Sequence, residues 1–348
     1  MNNLERLLFY YGAGRIFIPR PRYLIYNATL RCDLSCRHCG IWENKKKREL
    51  AADELDRILD RKFFSQVETA WITGGEPTLR KDLASLARVL RSRLPAMTVL
   101  GIATNGFATE RVLSRLEEIG AELDASRQAI FLQFSIDGVA EVHDRIRGPG
   151  AFSNLEATVE GVKQFRARHP GLKVDCGFNC VVQPENVLQL EAIKTFAAEH
   201  HAGITFNIVA ITDQIYYTHH KAAELAFSSG LRQEAIKFLE KLKAESGPAF
   251  RQQYQSFISV LKGKKRDRRC LSLYSTFIVN SDGTWIPCPL CSEWERVDFL
   301  KTDPELFWKS GQAQALRRKA EAQLCPGCLL GCSLGDSLSM REFLAGGF

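Results

Sequence analysis

The sequence predicts an α/β protein built on a parallel sheet, followed by a small cysteine-rich domain containing a β-hairpin. Three observations lead there. From Arg22 to about Ala210, β-rich apolar runs alternate with amphipathic helical stretches in six β-then-α units. Polar and glycine-rich residues collect where those runs end, at "TGGEP", "TNG" and "SIDG". Between Cys270 and Cys332 the composition changes, and six of the eleven cysteines fall there.

In order, the strand candidates are "RYLIYNAT" (22–29), "ETAWITGG" (68–75), "MTVLGIATNG" (97–106), "AIFLQFSIDG" (129–138), "KVDCGFNCVV" (173–182) and "GITFNIVA" (203–210). Between them, "AADELDRILDR", "DLASLARVLRSRL", "ERVLSRLEEIG" and "NLEATVEGVKQFRAR" read as helices. In the second of these, Leu83, Leu86, Val89 and Leu90 share one face, and Gly120 is a candidate C-cap of the third. Strand–helix–strand units close with right-handed crossovers, and ligands then gather at the C-terminal ends of the strands. Residues 211–269 read as helical and charged, and "TFIVNSDGTWIPC" as a hairpin turning at Asp282–Gly283. The divisions expected are an N-terminal extension (1–20), the α/β domain (21–215), a helical linker with a basic run (216–269), the cysteine-rich domain (270–335) and a tail (336–348).

The net charge of +7 concentrates in "KKKR" (45–48) and "KGKKRDRR" (262–269), which read chiefly as solvated surface, with steering of an anionic partner as the alternative. No nucleic-acid module accompanies them. No apolar run is long enough to span a membrane, and the N-terminus is a poor signal peptide, so the cytoplasm is expected. In that compartment clustered thiols hold metal or do redox chemistry more often than they form disulfides.

"RCDLSCRHCG" places Cys32, Cys36 and Cys39 among Arg31, Asp33, Arg37 and His38, which is unlike a core. Zinc needs four ligands, and His38 is badly placed to be the fourth. Three thiolates at these spacings can instead hold three corners of a [4Fe–4S] cubane and leave one iron open. Here the chain resembles the radical S-adenosylmethionine (SAM) superfamily over about residues 20–210. That family carries cysteines at these two spacings, with a usually aromatic residue before the last, here His38. "TGGEPTL" (73–79) resembles its second-strand motif, and "SIDG" with "VHDRIRGPGAF" its fourth-strand segment. The resemblance implies a partial (β/α)6 barrel, with SAM bound to the open iron. Gly74, Gly75 and Glu76 would meet the methionine ammonium, His38 would pack on adenine, and Ser135 and Arg147 would contact the carboxylate (or, for Ser135, the ribose). Asn179 would reach the ribose or adenine. Strand-end hydrogen bonding is the alternative for Ser135 and Asn179, and a surface ion pair for Arg147. Cys176 and Cys180 share a strand face opposite Asn179, which places them in the core. His200–His201 and His219–His220 read as surface or lid residues, and Asp213 and Tyr216 as candidate substrate contacts.

For the later cysteines, the pairs Cys288/Cys291 and Cys325/Cys328 could form a zinc ribbon. The other reading is a resemblance to the twitch or SPASM extensions of radical SAM enzymes. Their hairpin pattern fits Cys270, Gly283 and Cys288, and their later pair fits Cys325 and Cys328. That resemblance implies one auxiliary [4Fe–4S] cluster on Cys270, Cys288, Cys325 and Cys328, with Cys291 or Cys332 as substitutes. The full seven-cysteine SPASM pattern is not met. Pro289 follows Cys288 where the sulfatase-maturing branch has a base Asp, which argues against that branch. Few residues precede the barrel, so no peptide-recognition domain is expected there.

The function these resemblances imply is reductive SAM cleavage followed by hydrogen abstraction from a peptide or protein. The alternative is dehydrogenation or rearrangement of a carbohydrate or other small molecule. An external one-electron reductant such as flavodoxin or ferredoxin would be needed. A rival of another class is a non-catalytic iron–sulfur or zinc-binding electron carrier or sensor.

Overall fold

The computed structural model describes residues 8–9, 11–44, 48–266 and 268–331. Cys332, the tail beyond it and Lys45–Lys47 of the first basic run lie outside the described residues. Strands β1 (Tyr23–Thr29), β2 (Thr69–Gly74), β3 (Val99–Thr104), β4 (Ala129–Ser135), β5 (Lys173–Val182) and β6 (Gly203–Ile208) pair in parallel and in chain order. Helices α1 (Ala52–Ile58), α2 (Leu83–Arg93), α3 (Thr109–Glu122), α4 (Glu141–Arg147), α5 (Ala151–Arg168) and α6 (Leu190–Glu199) lie between or after them. Alternation divides each strand. Leu24, Tyr26, Ile72, Leu100, Leu132, Phe134, Phe178 and Phe206 are buried in the core shared with the helices, while Trp71, Gln133 and Asn179 on the other face are only partly covered. The sheet ends at β6 on one side and β9 on the other, so the barrel is open.

Two expectations change here. Gly120 does not cap α3, which continues to Glu122. A Cβ there would lie 2.6 Å from Leu172 Cδ2, so the glycine lets the approach to β5 pack against the helix. The segment expected as a linker also contributes to the core. Helices α7 (Ser229–Glu245) and α8 (Pro248–Leu261) bury Phe238, Leu239, Tyr254 and Phe257 in the barrel core, with the Phe238 ring 4.9 Å from Phe206 of β6.

The cysteine-rich region continues the same sheet. β7 (Thr276–Val279) pairs in parallel with β1, and β8 (Thr284–Ile286) and β9 (Val297–Asp298) follow antiparallel. The hairpin turns at Gly283, whose φ of +86° suits glycine, and Asp282 Oδ1 accepts from the amide and hydroxyl of Thr284. Helices α9 (Pro304–Lys309) and α10 (Gly311–Gln323) close this end. They are joined by the fully buried Arg317, which donates to the carbonyls of Leu273 and Trp308 and lies 3.9 Å from the Trp308 ring centroid. Burial pulls its pKa down to about 9. Near the N-terminus, Phe9 and Ala13 pack against Leu271, Leu273, Tyr274 and Cys291. Among the described residues, no helix is long and apolar enough to cross a membrane.

Candidate functional site at the barrel mouth

The Cys32–Cys39 loop leaves β1 at the C-terminal rim of the sheet. Its turns are held by backbone bonds from Cys39 N to Cys36 O (3.1 Å), Arg37 N to Ile146 O (2.9 Å) and Gly40 N to Tyr216 O (2.5 Å). Cys36 packs with Leu34 and Ala151, and Cys32, Cys39 and Phe107 join that cluster. The turn after β2 is zipped to the same loop, since Gly75 N donates to Thr29 O (2.7 Å) and Glu76 N to Arg31 O (2.8 Å). This explains the glycine pair. A Cβ on Gly74 would sit 2.1 Å from Thr29 O, and one on Gly75 2.0 Å from Arg31 O. The close approach that requires glycine is made by the cysteine loop itself.

Glu76, expected to face a bound ammonium, is fully buried. Its carboxylate accepts from the amide and hydroxyl of Thr78, the hydroxyl of Thr104 and the amide of Asn105. Burial pushes its pKa up against those bonds. The side chain staples the β2 turn to the end of β3, with three of these bonds on Oε1 and one on Oε2.

Arg147, for which a surface ion pair was the alternative, is buried. Its Nε and Nη2 donate to Asp137 Oδ2 at 2.7 and 2.6 Å, and Nη1 points to Cys36 Sγ at 3.7 Å. Asp137, the aspartate of "SIDG", has zero exposure and also accepts from Val181 N at 2.7 Å. Burial raises its pKa, but the Arg147 charge, helped by the His38 ring and the Val181 amide, outweighs that, and the net shift is downward. His38 lies in this network, with Nε2 3.6 Å from Asp137 Oδ2 and Nδ1 3.3 Å from Gln183 Nε2. Burial lowers its pKa to about 4, so it is neutral. On the other flank, Asn105 Nδ2 donates to Asp33 Oδ1 (2.8 Å) and lies 4.0 Å from Cys32 Sγ, while Arg111 pairs with Asp33.

Ser135 and Asn179 are register partners on β4 and β5. Asn179 Oδ1 accepts from Thr205 Oγ1 (3.1 Å) and Asn207 Nδ2 (2.6 Å), which leaves its own Nδ2 for a ligand. Cys180 is buried in the core, and Cys176 packs against it. Tyr216 meets the cysteine loop through its carbonyl. Asp213 is exposed and lies 3.3 Å from His219 Nδ1. His200, expected at the surface or in a lid, is half-buried with its ring tilted 4.5 Å from that of Phe196, whereas His201 is exposed.

Beside the hairpin, a small cavity is lined by Cys270, Cys288, Cys325 and Cys328 together with Arg266 and Leu290. Cys291 is not part of that lining and is buried with Phe9 and Leu271. A hydrogen bond from Cys325 is the main cause that lowers the Cys270 pKa, against burial.

Among the described residues no three His, Cys, Asp or Glu side chains converge tightly enough to hold a single metal ion. A cubane places each cysteine on a separate iron and so suits thiols set further apart. Burial raises the pKa of Cys32 and Cys39 to about 12 and also raises that of Cys36. These thiols hold their protons until a metal displaces them, and the Arg147 and Asn105 N–H groups aimed at sulfur suit the thiolates that result. The donor set therefore fits a cluster. Sequence reasoning missed Asp137 and Asn105 as its supports, although both stand in the strand-end motifs "SIDG" and "TNG".

Residues 26–197 match the family profile described as Radical SAM superfamily. Over 174 residues the chain is 30% identical to the Fe-coproporphyrin III synthase of Methanosarcina barkeri, which covers 49% of this chain and 39% of that protein. Over 187 residues it is 31% identical to the mycofactocin maturase MftC of Mycolicibacterium smegmatis, covering 53% and 44%. The chain thus spans less than half the length of these curated relatives. In fold it is similar to Streptococcus suis SuiB bound to precursor peptide SuiA, with TM-score 0.61, 18% identity, and coverage of 90% of this chain and 71% of that one.

Proposed function

We propose that this chain, which carries a radical SAM superfamily domain at residues 26–197, is an enzyme that cleaves SAM reductively and abstracts hydrogen from a peptide or protein substrate, in a net oxidation. The family uses a [4Fe–4S] cluster and SAM, and the chemistry supplied by the bound pair is an electron that yields methionine and a 5′-deoxyadenosyl radical. The observation that carries the reading is the three-thiol loop zipped to the Gly74–Gly75 turn, with donors from Arg147 and Asn105 directed at its sulfurs.

Cys32, Cys36 and Cys39 would hold the cluster. Arg147, kept in place by Asp137, offers Nη1 toward Cys36 and supports its thiolate. Of the SAM contacts, the backbone of Gly74 and Gly75 would meet the ammonium and Ser135 the carboxylate or ribose. Asn179, with Nδ2 available, would meet the ribose or adenine, and neutral His38 would border the adenine. The four-cysteine cavity supports an auxiliary cluster on Cys270, Cys288, Cys325 and Cys328. Such a cluster could accept the electron left on the substrate radical and pass it to an external one-electron carrier.

The likeness to SuiB and MftC supports a peptide substrate. The match to Fe-coproporphyrin III synthase favours a second reading, oxidation of a small molecule. The test is anaerobic reconstitution with iron and sulfide, then reduction with SAM present. Formation of 5′-deoxyadenosine supports the proposal, and its absence from a cluster-loaded chain refutes it.

A further inference from the structure

The inner face of the barrel is layered. Ile278, Ile25, Trp71, Gly101 and Phe131 follow one another in register across β7, β1, β2, β3 and β4. Trp71 and Phe131 meet edge to face, centroids 5.9 Å apart. Their rings spread over the gaps left by two glycines, since a Cβ on Gly101 would lie 2.5 Å from Trp71 and one on Gly177 2.8 Å from Phe131. These residues make an apolar floor.

Two residues further along the strands, the layer above is polar and uncharged. Asn27 pairs in register with Thr73, and Gln133 lies between Ala103 and Gly177. Asn27 Nδ2 donates to Asn280 Oδ1 at 2.9 Å, which extends the layer to the end of β7. Among the described residues no side chain or backbone group bonds the Gln133 amide or the Thr73 hydroxyl. The only charged residues in β1–β6 are Lys173 and Asp175 on β5. Asp175 is the register partner of Phe131 and so ends the floor row, but it is exposed and lies 3.8 Å from Arg166, and the polar layer itself carries no charged residue.

A layer with unpaired amide and hydroxyl groups and no charged residue of its own discriminates by charge. An ion seated there gives up hydration without an opposite charge to replace it. A neutral amide or hydroxyl exchanges water bonds for bonds to Gln133, Thr73 and Asn27, while its carbon skeleton covers Trp71. We propose that the part of the substrate seated on the Trp71–Phe131 floor is an uncharged amide- or hydroxyl-bearing group, read by Asn27, Thr73, Gln133 and Asn280. This rests on the radical SAM reading and adds the substrate's local chemistry to it.

The experiment uses the full, reconstituted chain with SAM, and measures probe binding by saturation-transfer NMR. The neutral probes are N-acetylserine N-methylamide and methyl glucoside. The charged probes are the N-methylamides of N-acetyllysine and N-acetylglutamate. Neutral probes are expected to bind at least tenfold more tightly than charged ones. A preference for the serine amide assigns the group to a peptide, and a preference for the glucoside assigns it to a sugar. Gln133→Glu, nearly isosteric, is expected to gain at least tenfold in affinity for the lysine probe. The inference is overturned if either charged probe binds the wild-type chain as well as the neutral ones, or if no probe binds. A Gln133→Glu chain with wild-type circular dichroism but no gain for lysine overturns it as well. SAM binding by equilibrium dialysis on the wild-type sample is the separate control. Its loss counts against the radical SAM reading, whereas SAM binding without neutral-probe binding counts only against this inference.

Discussion

His143 links the acid stability of the fold to the support of the cysteine loop. It is fully buried on α4, and its Nδ1 accepts from the Asp137 amide at 3.2 Å, which places its proton on Nε2. Nε2 is buried and has no hydrogen-bond partner among the described residues. Burial, helped by the nearby Arg147 charge, lowers its pKa from 6.5 to about 4. Below pH 6.5 the unfolded chain takes up a proton that the folded chain refuses, so stability present above that value falls as pH drops toward 4. The full span is about 3 kcal/mol, of which about 1.4 kcal/mol is lost between pH 7.5 and 5.5. His143→Asn keeps an acceptor near the Asp137 amide and removes the titration. Urea unfolding of both chains at the two pH values, with equal m-values, should show the wild type losing about 1.4 kcal/mol more than the variant. Parallel losses in the two chains would refute the assignment of a depressed pKa to His143.

Three further outcomes follow from the site. Asp137→Ala leaves the Arg147 guanidinium buried and unpaired and should cost about 3–5 kcal/mol; in a double-mutant cycle with Arg147→Met the losses should be clearly non-additive, and additive losses would contradict the pairing. Gly75→Ala drives a methyl into the Arg31 carbonyl and should reduce iron loading at the first loop at least tenfold. Gly171→Ala, which meets nothing within 4 Å, should leave loading unchanged. Cys328→Ala should leave roughly four irons per chain, against roughly eight in the wild type and in Cys291→Ala, and equal iron in the two variants would reassign the auxiliary ligands.

The strands were legible because their inner and outer faces differ in chemistry. "KVDCGFNCVV" alternates so regularly that β5 begins and ends where the pattern does. The helices of 229–261 were visible as helices, but a single sequence does not say what an amphipathic face packs against, and so their role in covering β6 was hidden. The β1–β7 pairing was hidden for a related reason. β7 is a four-residue, fully buried run, and short apolar runs carry no signal for the strand they join. Arg317 shows the same limit from another side. An arginine in a polar helix reads as surface, and its burial is made tolerable by the carbonyls of Leu273 and Trp308 and by the rings of Tyr274, Trp285 and Trp308, which only the fold brings to it.

At the site, spacing identified residue types better than it identified what each residue touches. Three cysteines and a glycine pair can be recognised from chain positions alone, because a cluster loop and a close backbone approach both need particular residues at particular intervals. The partner in that approach cannot be read this way. Gly74 and Gly75 are required by the carbonyls of Thr29 and Arg31, and Glu76 is bonded by Thr78, Thr104 and Asn105. A motif that looks like a ligand contact thus also locks the cysteine loop to the second strand. Local changes in it should disturb cluster assembly before they disturb SAM affinity. The Gly75→Ala chain separates the two roles: iron loading that stays normal while SAM binding falls would return the glycine to a ligand-contact role, and loss of iron first would keep it in the framework.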